Sequence, residues 1–329
     1  MFNLLITARS FGFSSDLARK AFQTIAEITI EKPDHTKAFD EDQMCELIPD
    51  RDAVIVGTDQ ITQQVIAKAN KLNFIFKHGV GIDNVDLEAA TKANILVANM
   101  PGINNRAVAD MTLGLILALS RGICLACMRV KKRDWSKFLA HDIWGKTLGI
   151  VGTGNIGLEV IKRALAFDMK VFAFDTLPNE KIAQELDFSY MDLDSLLTNS
   201  DMVSLHVPLT PDTIGMIGKR EIGMMKPSAY LINTSRGGII DEAALLEALQ
   251  GKIIAGAALD VYDNNLVQKE QIYSLDNLII TPHIAAYTYE TLENMDMELV
   301  EAFKSILRGK KPTNLNILNP CVQFDRSAF

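Results

Sequence analysis

Between residues 3 and 98 the apolar positions fall into short runs separated by amphipathic stretches. The runs at 4–7, 28–30, 53–56, 74–76 and 95–97 have strand length. The stretches between them repeat at helical spacing: Ser14 caps a helix to about residue 25, Asp40 begins one through 47, and Thr62 begins another through 69. Strands alternating with helices imply a parallel sheet with helices on its faces. Asn99-Met100-Pro101-Gly102 breaks the pattern and marks a hinge. Residues 106–130 form a long, mostly apolar helical pattern that one sheet cannot cover on every side, so a second bundle or a second subunit is expected to bury the remainder. Its apolar tract, 111–128, is interrupted by Ser120-Arg121-Gly122, which suits a buried helix better than a membrane span. Beyond residue 146 the alternation resumes, with strands at 147–151, 170–174, 203–207, 230–233, 254–259 and 278–280. Helices are expected at 193–197 and 219–224, and at 242–250 behind Asp241. A last helix, 288–307, returns toward the first unit, and 312–329 reads as a tail.

The stretch 146–175 carries the strongest local signal. A buried strand runs into Gly152-Thr153-Gly154-Asn155-Ile156-Gly157, a helix follows, and a second strand ends in Asp175. The first glycine permits the tight turn, the second lets backbone approach a pyrophosphate, and the third lets helix pack on strand. Unpaired N–H groups at the helix start attract phosphate charge. Asp175 suits both hydroxyls of an adenosine ribose, and Thr176 follows it where an arginine would greet a 2′-phosphate, so NAD is favoured over NADP.

Length and composition set the frame. A chain of 329 residues suffices for two cores, and 48% hydrophobic with 22% charged residues describes a soluble globular protein. A net charge of −8, with no long run of lysine or arginine, opposes a nucleic-acid or anionic-membrane partner. The N-terminus reads as a first strand rather than a signal peptide. With four cysteines, reduced thiols in the cytoplasm are the default expectation. Cys124 and Cys127, inside the apolar pattern, read as buried thiols, and His141 and Trp144 as packing between domains. No cluster has metal-ligand spacing.

In a doubly wound sheet the ligand lies beyond the carboxyl ends of the strands, so the residues following each strand are the ones to inspect. They include Val207-Pro208, Asn233-Thr234-Ser235-Arg236-Gly237-Gly238, Asp260 and Thr281-Pro282-His283. Arg236 can grip a carboxylate bidentately. His283 can act as general acid or base, and with a nicotinamide the two suffice for hydride transfer to a 2-keto acid.

At this point the sequence resembles the NAD-dependent D-2-hydroxyacid dehydrogenases, and among them the short D-3-phosphoglycerate dehydrogenase type without a regulatory domain. The likeness is carried by His78-Gly79-Val80-Gly81-Ile82-Asp83-Asn84-Val85-Asp86, Pro101-Gly102-Ile103-Asn104 with Val108-Ala109-Asp110, Gly152–Gly157 with Asp175, His206-Val207-Pro208-Leu209 and Asn233–Gly238. It continues through Gly256-Ala257-Ala258-Leu259-Asp260-Val261-Tyr262 and Thr281-Pro282-His283-Ile284-Ala285-Ala286. The resemblance implies two Rossmann-like or flavodoxin-like α/β domains, each a parallel sheet, with a cleft between them. A discontinuous substrate-binding domain would span 1–100 plus 288–329, and an NAD-binding domain 101–287. It also implies a homodimer joined through the long helix after the hinge. Cofactor contacts would fall on Gly152, Gly154, Asn155, Ile156, Gly157, Asp175, Val207, Pro208, Thr234, Ser235, Arg236, Asp260, His283, Ala285 and Ala286. Val80 and Gly81 would hold the substrate carboxylate by their backbone, with Asn104 lining the same cleft and Arg236 orienting carboxylate and carbonyl. His283 would be the acid in keto-acid reduction and the base in hydroxy-acid oxidation.

Two departures bear on function. The family places a glutamate five residues after the aspartate matched by Asp260, where it supports the charge of the catalytic histidine, and this chain has Asn265 there. An amide can orient the ring but lends it no charge, so Asp263 or Glu270 substitutes, a weaker acid suffices, or the protein has become an NAD(H)-sensing binder. Many phosphoglycerate dehydrogenases carry an arginine after the third strand, whereas here Val54-Ile55-Val56 leads into Gly57-Thr58. Lys77 reads as a surface lysine at a strand end in preference to a phosphate contact. The substrate is therefore expected to be a small D-2-hydroxy acid or its keto acid, with 3-phosphoglycerate, and hence a true D-3-phosphoglycerate dehydrogenase of serine biosynthesis, as the alternative.

Overall fold

The runs Leu4-Leu5-Ile6 and Ala53-Val54-Ile55-Val56 have no polar position, and both are buried strands of a sheet covered on two faces. The computed structural model describes residues 2–25, 27–30, 38–263, 266 and 270–322. The chain divides into two units, Met1–Asn104 with Ala286–Phe329, and Asn105–Ala285.

The first unit runs β1 (Asn3–Ile6), α1 (Leu17–Gln23), β2 (Glu27–Ile30), α2 (Glu41–Leu47), β3 (Ala53–Val56), α3 (Gln63–Lys68), β4 (Phe74–Lys77), α4 (Leu87–Lys92) and β5 (Leu96–Asn99). These strands are parallel in the order 5-4-3-1-2, which reverses between β1 and β3. Strand period decides the two cores. Leu4 and Ile6 share one with Phe22, Leu299 and Phe303, while Leu5 on the opposite face shares the other with Met44, Ile48 and Val65. Asp40 and Thr62 cap α2 and α3 as their spacing predicts, each accepting an N–H of the first turn. Ser14 does not cap α1. Turns closed by Phe11 N–H to Ala8 O and Phe13 N–H to Ser10 O lengthen the preceding loop, and the helix starts after Asp16.

The second unit opens with α5 (Asn105–Arg121) and α6 (Ile123–Lys131), then β6 (Thr147–Val151), α7 (Asn155–Ala166), β7 (Lys170–Phe174), α8 (Glu180–Leu186) and β8 (Ser189–Tyr190). It continues through α9 (Leu193–Asn199), β9 (Met202–Leu205), α10 (Lys219–Met224), β10 (Tyr230–Asn233), α11 (Glu242–Gln250) and β11 (Gly256–Leu259) to a 3-10 turn (Glu270–Ser274) and β12 (Leu278–Ile280). Its seven parallel strands lie in the order β12-β11-β10-β9-β6-β7-β8, the doubly wound order that reverses between β6 and β9. One face is covered by α5 and α7 through Ala109, Leu113, Ile116, Val160 and Ile161, and the other by α9, α10 and α11.

After Ala285 the chain belongs to the first unit again. Thr288 caps α12 (Tyr289–Leu307), whose Leu299, Val300 and Phe303 enter the first unit's core. The segment read as a tail contributes β13 (Asn316–Ile317), antiparallel to β5. Beyond it Asn319 accepts the N–H of Val97 at 2.9 Å and donates to Ile95 O at 2.8 Å. A strand of two residues leaves no period to read, which is why the sequence does not reveal it.

The long apolar pattern is two helices. Gly122 takes a left-handed φ of 59°, and α5 and α6 are bent by 62° there. No single helix among the described residues is long and apolar enough to cross a membrane. While α5 buries Val108, Ala109, Thr112, Leu113, Leu115 and Ile116, α6 buries nothing. Cys124 and Cys127 are accordingly exposed, which corrects the expectation of buried thiols. In the segment that follows, Ile143 is the buried residue, whereas His141 and Trp144 are exposed, against the expectation that they pack.

Strand β6 is central and fits only a glycine at 149, where a Cβ would stand 2.4 Å from Ser200 Oγ and 2.5 Å from Leu196 Cδ2. Both neighbours are fully buried. Gly149→Ala is therefore expected to cost ~1–3 kcal/mol of stability through overpacking, read as a lower urea midpoint; an unchanged midpoint would show that α9 yields without cost.

Candidate active site

The reversal between β6 and β9 sets two loops side by side at the carboxyl edge of the second unit's sheet. They touch: a Cβ on Gly152, whose φ is 98°, would stand 2.6 Å from the carbonyl oxygen of His206. A Cβ on Gly157 would stand 2.1 Å from the carbonyl oxygen of Gly152, so α7 can approach the turn only with glycine at that position. At Gly154 a Cβ would meet nothing within 4 Å. No side chain caps α7 at that glycine, so the N-terminal N–H groups of a twelve-residue helix lie beside open space. This donor set fits a dinucleotide's pyrophosphate.

Asp175 follows β7 and is held by the same turn. Its Oδ2 accepts Thr153 N–H at 2.7 Å and Thr153 Oγ1–H at 2.9 Å, and its Oδ1 accepts Leu177 N–H at 2.9 Å. Burial opposes ionisation, but hydrogen bonds from Leu177, Thr153 and Thr176 outweigh it and hold the carboxyl below its ordinary value. Thr153 Oγ1 also lies 2.8 Å from Tyr190 Oη, and that hydroxyl accepts Asn179 N–H at 3.2 Å. Nothing in the sequence points to Tyr190, which comes from the short strand β8.

The loops after β10 and β11 carry the arginine and the anchor of the histidine. Asn233 Oδ1 accepts Ser235 N–H at 3.0 Å and Ser235 Oγ–H at 2.8 Å, while its Nδ2 donates to Arg236 O at 2.7 Å. The turn that presents Arg236 is thus fixed by one buried amide. The guanidinium donates from Nη1 to Ser235 O at 2.7 Å. Gly237 is required because a Cβ there would lie 2.7 Å from the carbonyl carbon of Tyr262. Thr234 spends its hydroxyl on Thr112 Oγ1 of α5, 2.9 Å away.

His283 is exposed and has a left-handed φ of 55°, a conformation rare outside glycine. Asp260 holds the loop in that state. The carboxylate, with no exposed surface, accepts Thr281 Oγ1–H at 2.6 Å and Ile284 N–H at 2.9 Å on Oδ1, and Ala285 N–H at 2.9 Å on Oδ2. Sequence reasoning places Asp260 among cofactor contacts; in the structure both its oxygens are committed to the histidine loop. Val207 and Pro208 follow β9 beside Gly152, and His206 before them has a buried Nδ1 with no hydrogen-bond partner among the described residues. Burial drives its imidazole pKa down to about 3, so that ring is neutral near pH 7, with Nε2 2.9 Å from Ser204 Oγ. Asn265 lies outside the described residues.

In the first unit the loop after β4 holds Val80 and Gly81. Asn99 Nδ2 donates to Val80 O at 2.6 Å, and Met100 N–H to Gly79 O at 3.2 Å. Just before that loop His78 is buried between Ser10 Oγ, 2.7 Å from Nδ1, and Asp296 Oδ1, 2.8 Å from Nε2. The Oδ1 of Asn104 is buried with no hydrogen-bond partner among the described residues. Lys77 is not the surface lysine its position at a strand end suggests: it is buried, and its ammonium donates to Gly57 O and, at 2.7 Å, to Asn84 Oδ1.

The family described as "D-isomer specific 2-hydroxyacid dehydrogenase, NAD binding domain" matches residues 113–285. A glyoxylate reductase of Thermococcus litoralis is 39% identical over 282 residues, covering 83% of this chain and 85% of that protein. A D-3-phosphoglycerate dehydrogenase of Methanocaldococcus jannaschii is 38% identical over 303 residues, which are 91% of this chain but only 57% of that longer protein. Among solved structures, D-lactate dehydrogenase from Aquifex aeolicus, complexed with NAD and lactic acid, superposes with a TM-score of 0.82 at 33% identity, covering 93% of this chain and 96% of that one. The chain belongs to the D-isomer specific 2-hydroxyacid dehydrogenase family.

Proposed function

We propose that this protein is an NAD-dependent oxidoreductase that moves a hydride between nicotinamide and C2 of a small D-2-hydroxy acid or its 2-keto acid. The observation that carries this reading is the pair of braced loops on the dinucleotide sheet, one presenting Arg236 and the other His283 in a strained backbone state that Asp260 maintains. Strain held by buried hydrogen bonds is more economically explained by function than by packing. Bound NAD would supply or take up the hydride. Gly152, Gly154, Asn155, Ile156 and Gly157 would hold its pyrophosphate, and Asp175 its adenosine ribose. Val207, Pro208, Thr234, Ser235, Ala285 and Ala286 would line the rest of its site. NAD is preferred to NADP because Asp175 is ionised and would repel a 2′-phosphate.

The remaining chemistry belongs to side chains of this chain. Arg236 would hold the substrate carboxylate and polarise the carbonyl. His283, protonated, would give its proton to the carbonyl oxygen as C2 is reduced; neutral, it would take the hydroxyl proton in the reverse direction. We assign the substrate carboxylate also to the backbone of Val80 and Gly81, and the unpartnered Oδ1 of Asn104 to a polar group of the substrate. The short phosphoglycerate dehydrogenase type is the second reading within the same chemistry, supported by the likeness to the Methanocaldococcus protein.

We also propose that the chain forms a homodimer through α5 and α6. Ile123, Met128, Val130, Trp135, Leu139 and Trp144 are all exposed, a density of large apolar groups that is uncommon on a monomer's free surface. Sedimentation is expected to give twice the chain mass, and Leu139→Lys to shift the protein toward monomer; a wild-type monomer at micromolar concentration sinks the assignment.

Arg236→Ala is expected to lower kcat/KM for keto-acid reduction by at least ~100-fold, as loss of a charge-assisted bidentate contact implies, with NADH binding retained by fluorescence titration. Asp175→Ala is expected to weaken NADH instead. Failure of the wild type to oxidise NADH with glyoxylate, pyruvate, hydroxypyruvate or 3-phosphohydroxypyruvate, despite tight NADH binding, would point to a sensor rather than an enzyme. A carboxylate beside the imidazolium favours its protonated form and raises its pKa. Reduction needs that form, so Asn265→Glu is expected to extend keto-acid reduction to higher pH, and an unchanged pH profile would mean that this residue does not reach His283.

A further inference from the structure

The first unit's sheet also has a point of reversal, between β1 and β3, and open α/β sheets bind ligands at such points, beyond the carboxyl ends of the strands. The residue presented there is Arg9. From Leu4 to Phe11 every residue is buried except Arg9, which is half-buried. The loop around it is pinned on both sides. Thr7 donates its hydroxyl to Asp59 Oδ2 at 2.7 Å, Thr7 and Ala8 N–H both go to Ile55 O, and Ser10 Oγ is bonded to His78. Gly57 lets the loop after β3 lie against it, since a Cβ there would stand 3.4 Å from Ala8 Cα. The Nη2 of Arg9 donates to Thr58 Oγ1 at 3.0 Å. That hydroxyl is neutral, and among the described residues no carboxylate pairs with the guanidinium.

The neighbouring charges are already committed. Asp59 turns its carboxylate inward to Thr7, to Gly57 N–H at 3.1 Å and to Phe39 N–H at 3.0 Å, and Lys77 is spent on Gly57 O and Asn84. Arg9 therefore brings unspent donors to a rigid position. Strand β3 also borders β4, whose following loop contains Val80 and Gly81, so Thr58, which holds the guanidinium, and that loop follow adjacent strands at the same edge of the sheet.

We propose that Arg9, steadied by Thr58, forms a subsite for a second anionic group on the substrate, a phosphate ester or a carboxylate carried on the chain beyond C2. The proposal rests on the reading of this protein as a 2-keto acid reductase. Charge-assisted, bidentate recognition would then select doubly charged keto acids over short neutral-tailed ones, and an arginine from the loop after β1 would do what Gly57-Thr58 cannot.

The test compares 3-phosphohydroxypyruvate and 2-oxoglutarate with hydroxypyruvate as oxidants of NADH, and D-3-phosphoglycerate with D-glycerate as calorimetric ligands in the presence of NADH. Wild type is expected to prefer at least one doubly charged compound, and the one preferred tells phosphate from carboxylate. Arg9→Gln is expected to reduce that preference, as a ratio of kcat/KM values and of affinities, by about 10- to 100-fold. Arg9→Lys is expected to restore part of it. A wild type with no preference for either doubly charged compound, or an Arg9→Gln protein with the ratio unchanged, overturns the subsite. If no keto acid is reduced while calorimetry still shows an Arg9-dependent preference for D-3-phosphoglycerate, the subsite stands and the reductase reading fails.

Discussion

The carboxylate of Asp260 accepts three hydrogen bonds from the loop that carries His283, and it does so with no exposed surface. An ionised group in that setting is tolerable only if its lone pairs are satisfied, and the loop supplies Thr281 Oγ1–H and the N–H groups of Ile284 and Ala285. The reverse dependence is as strong. A left-handed φ at His283 costs on the order of 1–3 kcal/mol, and hydrogen bonds to a charged acceptor contribute about 1.5–3 kcal/mol each. Three such bonds outweigh the strain, so the histidine loop keeps a conformation that its own residues would not choose.

The same device recurs with other side chains. Asn233 ties the turn that presents Arg236, and Asp175 ties the glycine-rich turn through Thr153. In the first unit Asp59 and the His78–Asp296 pair fix the loops on either side of Arg9. Apart from Asp296, which lies in α12, these anchors sit at or just beyond a strand's carboxyl end, where a parallel sheet leaves backbone groups without ladder partners. Asp260, Asn233, Asp175 and Asp59 accept such backbone N–H groups. Asp260 and Asn233 are buried, whereas His283 is exposed and Arg236 half-buried at the sheet's edge.

Helices α5 and α6 follow a different logic. One face of α5 is buried in its own unit, whereas α6, turned aside at Gly122, leaves Ile123, Met128 and Val130 uncovered. Apolar side chains at helical spacing look the same in sequence whether the covering surface is the same chain or another. That ambiguity is why Cys124 and Cys127 read as buried while the structure exposes them.

What the sequence determined by itself is what depends on near neighbours. Asp40, Thr62 and Asp241 cap helices because an N-cap bonds an N–H two or three residues on, and Gly152 and Gly157 are legible because a turn's steric limits are local. Strands 230–233 and 278–280 have the bounds their apolar runs predict. Tertiary structure decided the rest: which strands adjoin, hence where each sheet reverses, and which polar groups meet across long stretches of chain. His78 and Asp296 are 218 residues apart, Thr7 and Asp59 are 52 apart, and Asp260 and Ala285 are 25 apart. No periodicity encodes such pairs, because each exists only after the sheet has set its neighbours side by side and excluded the water that would otherwise satisfy them.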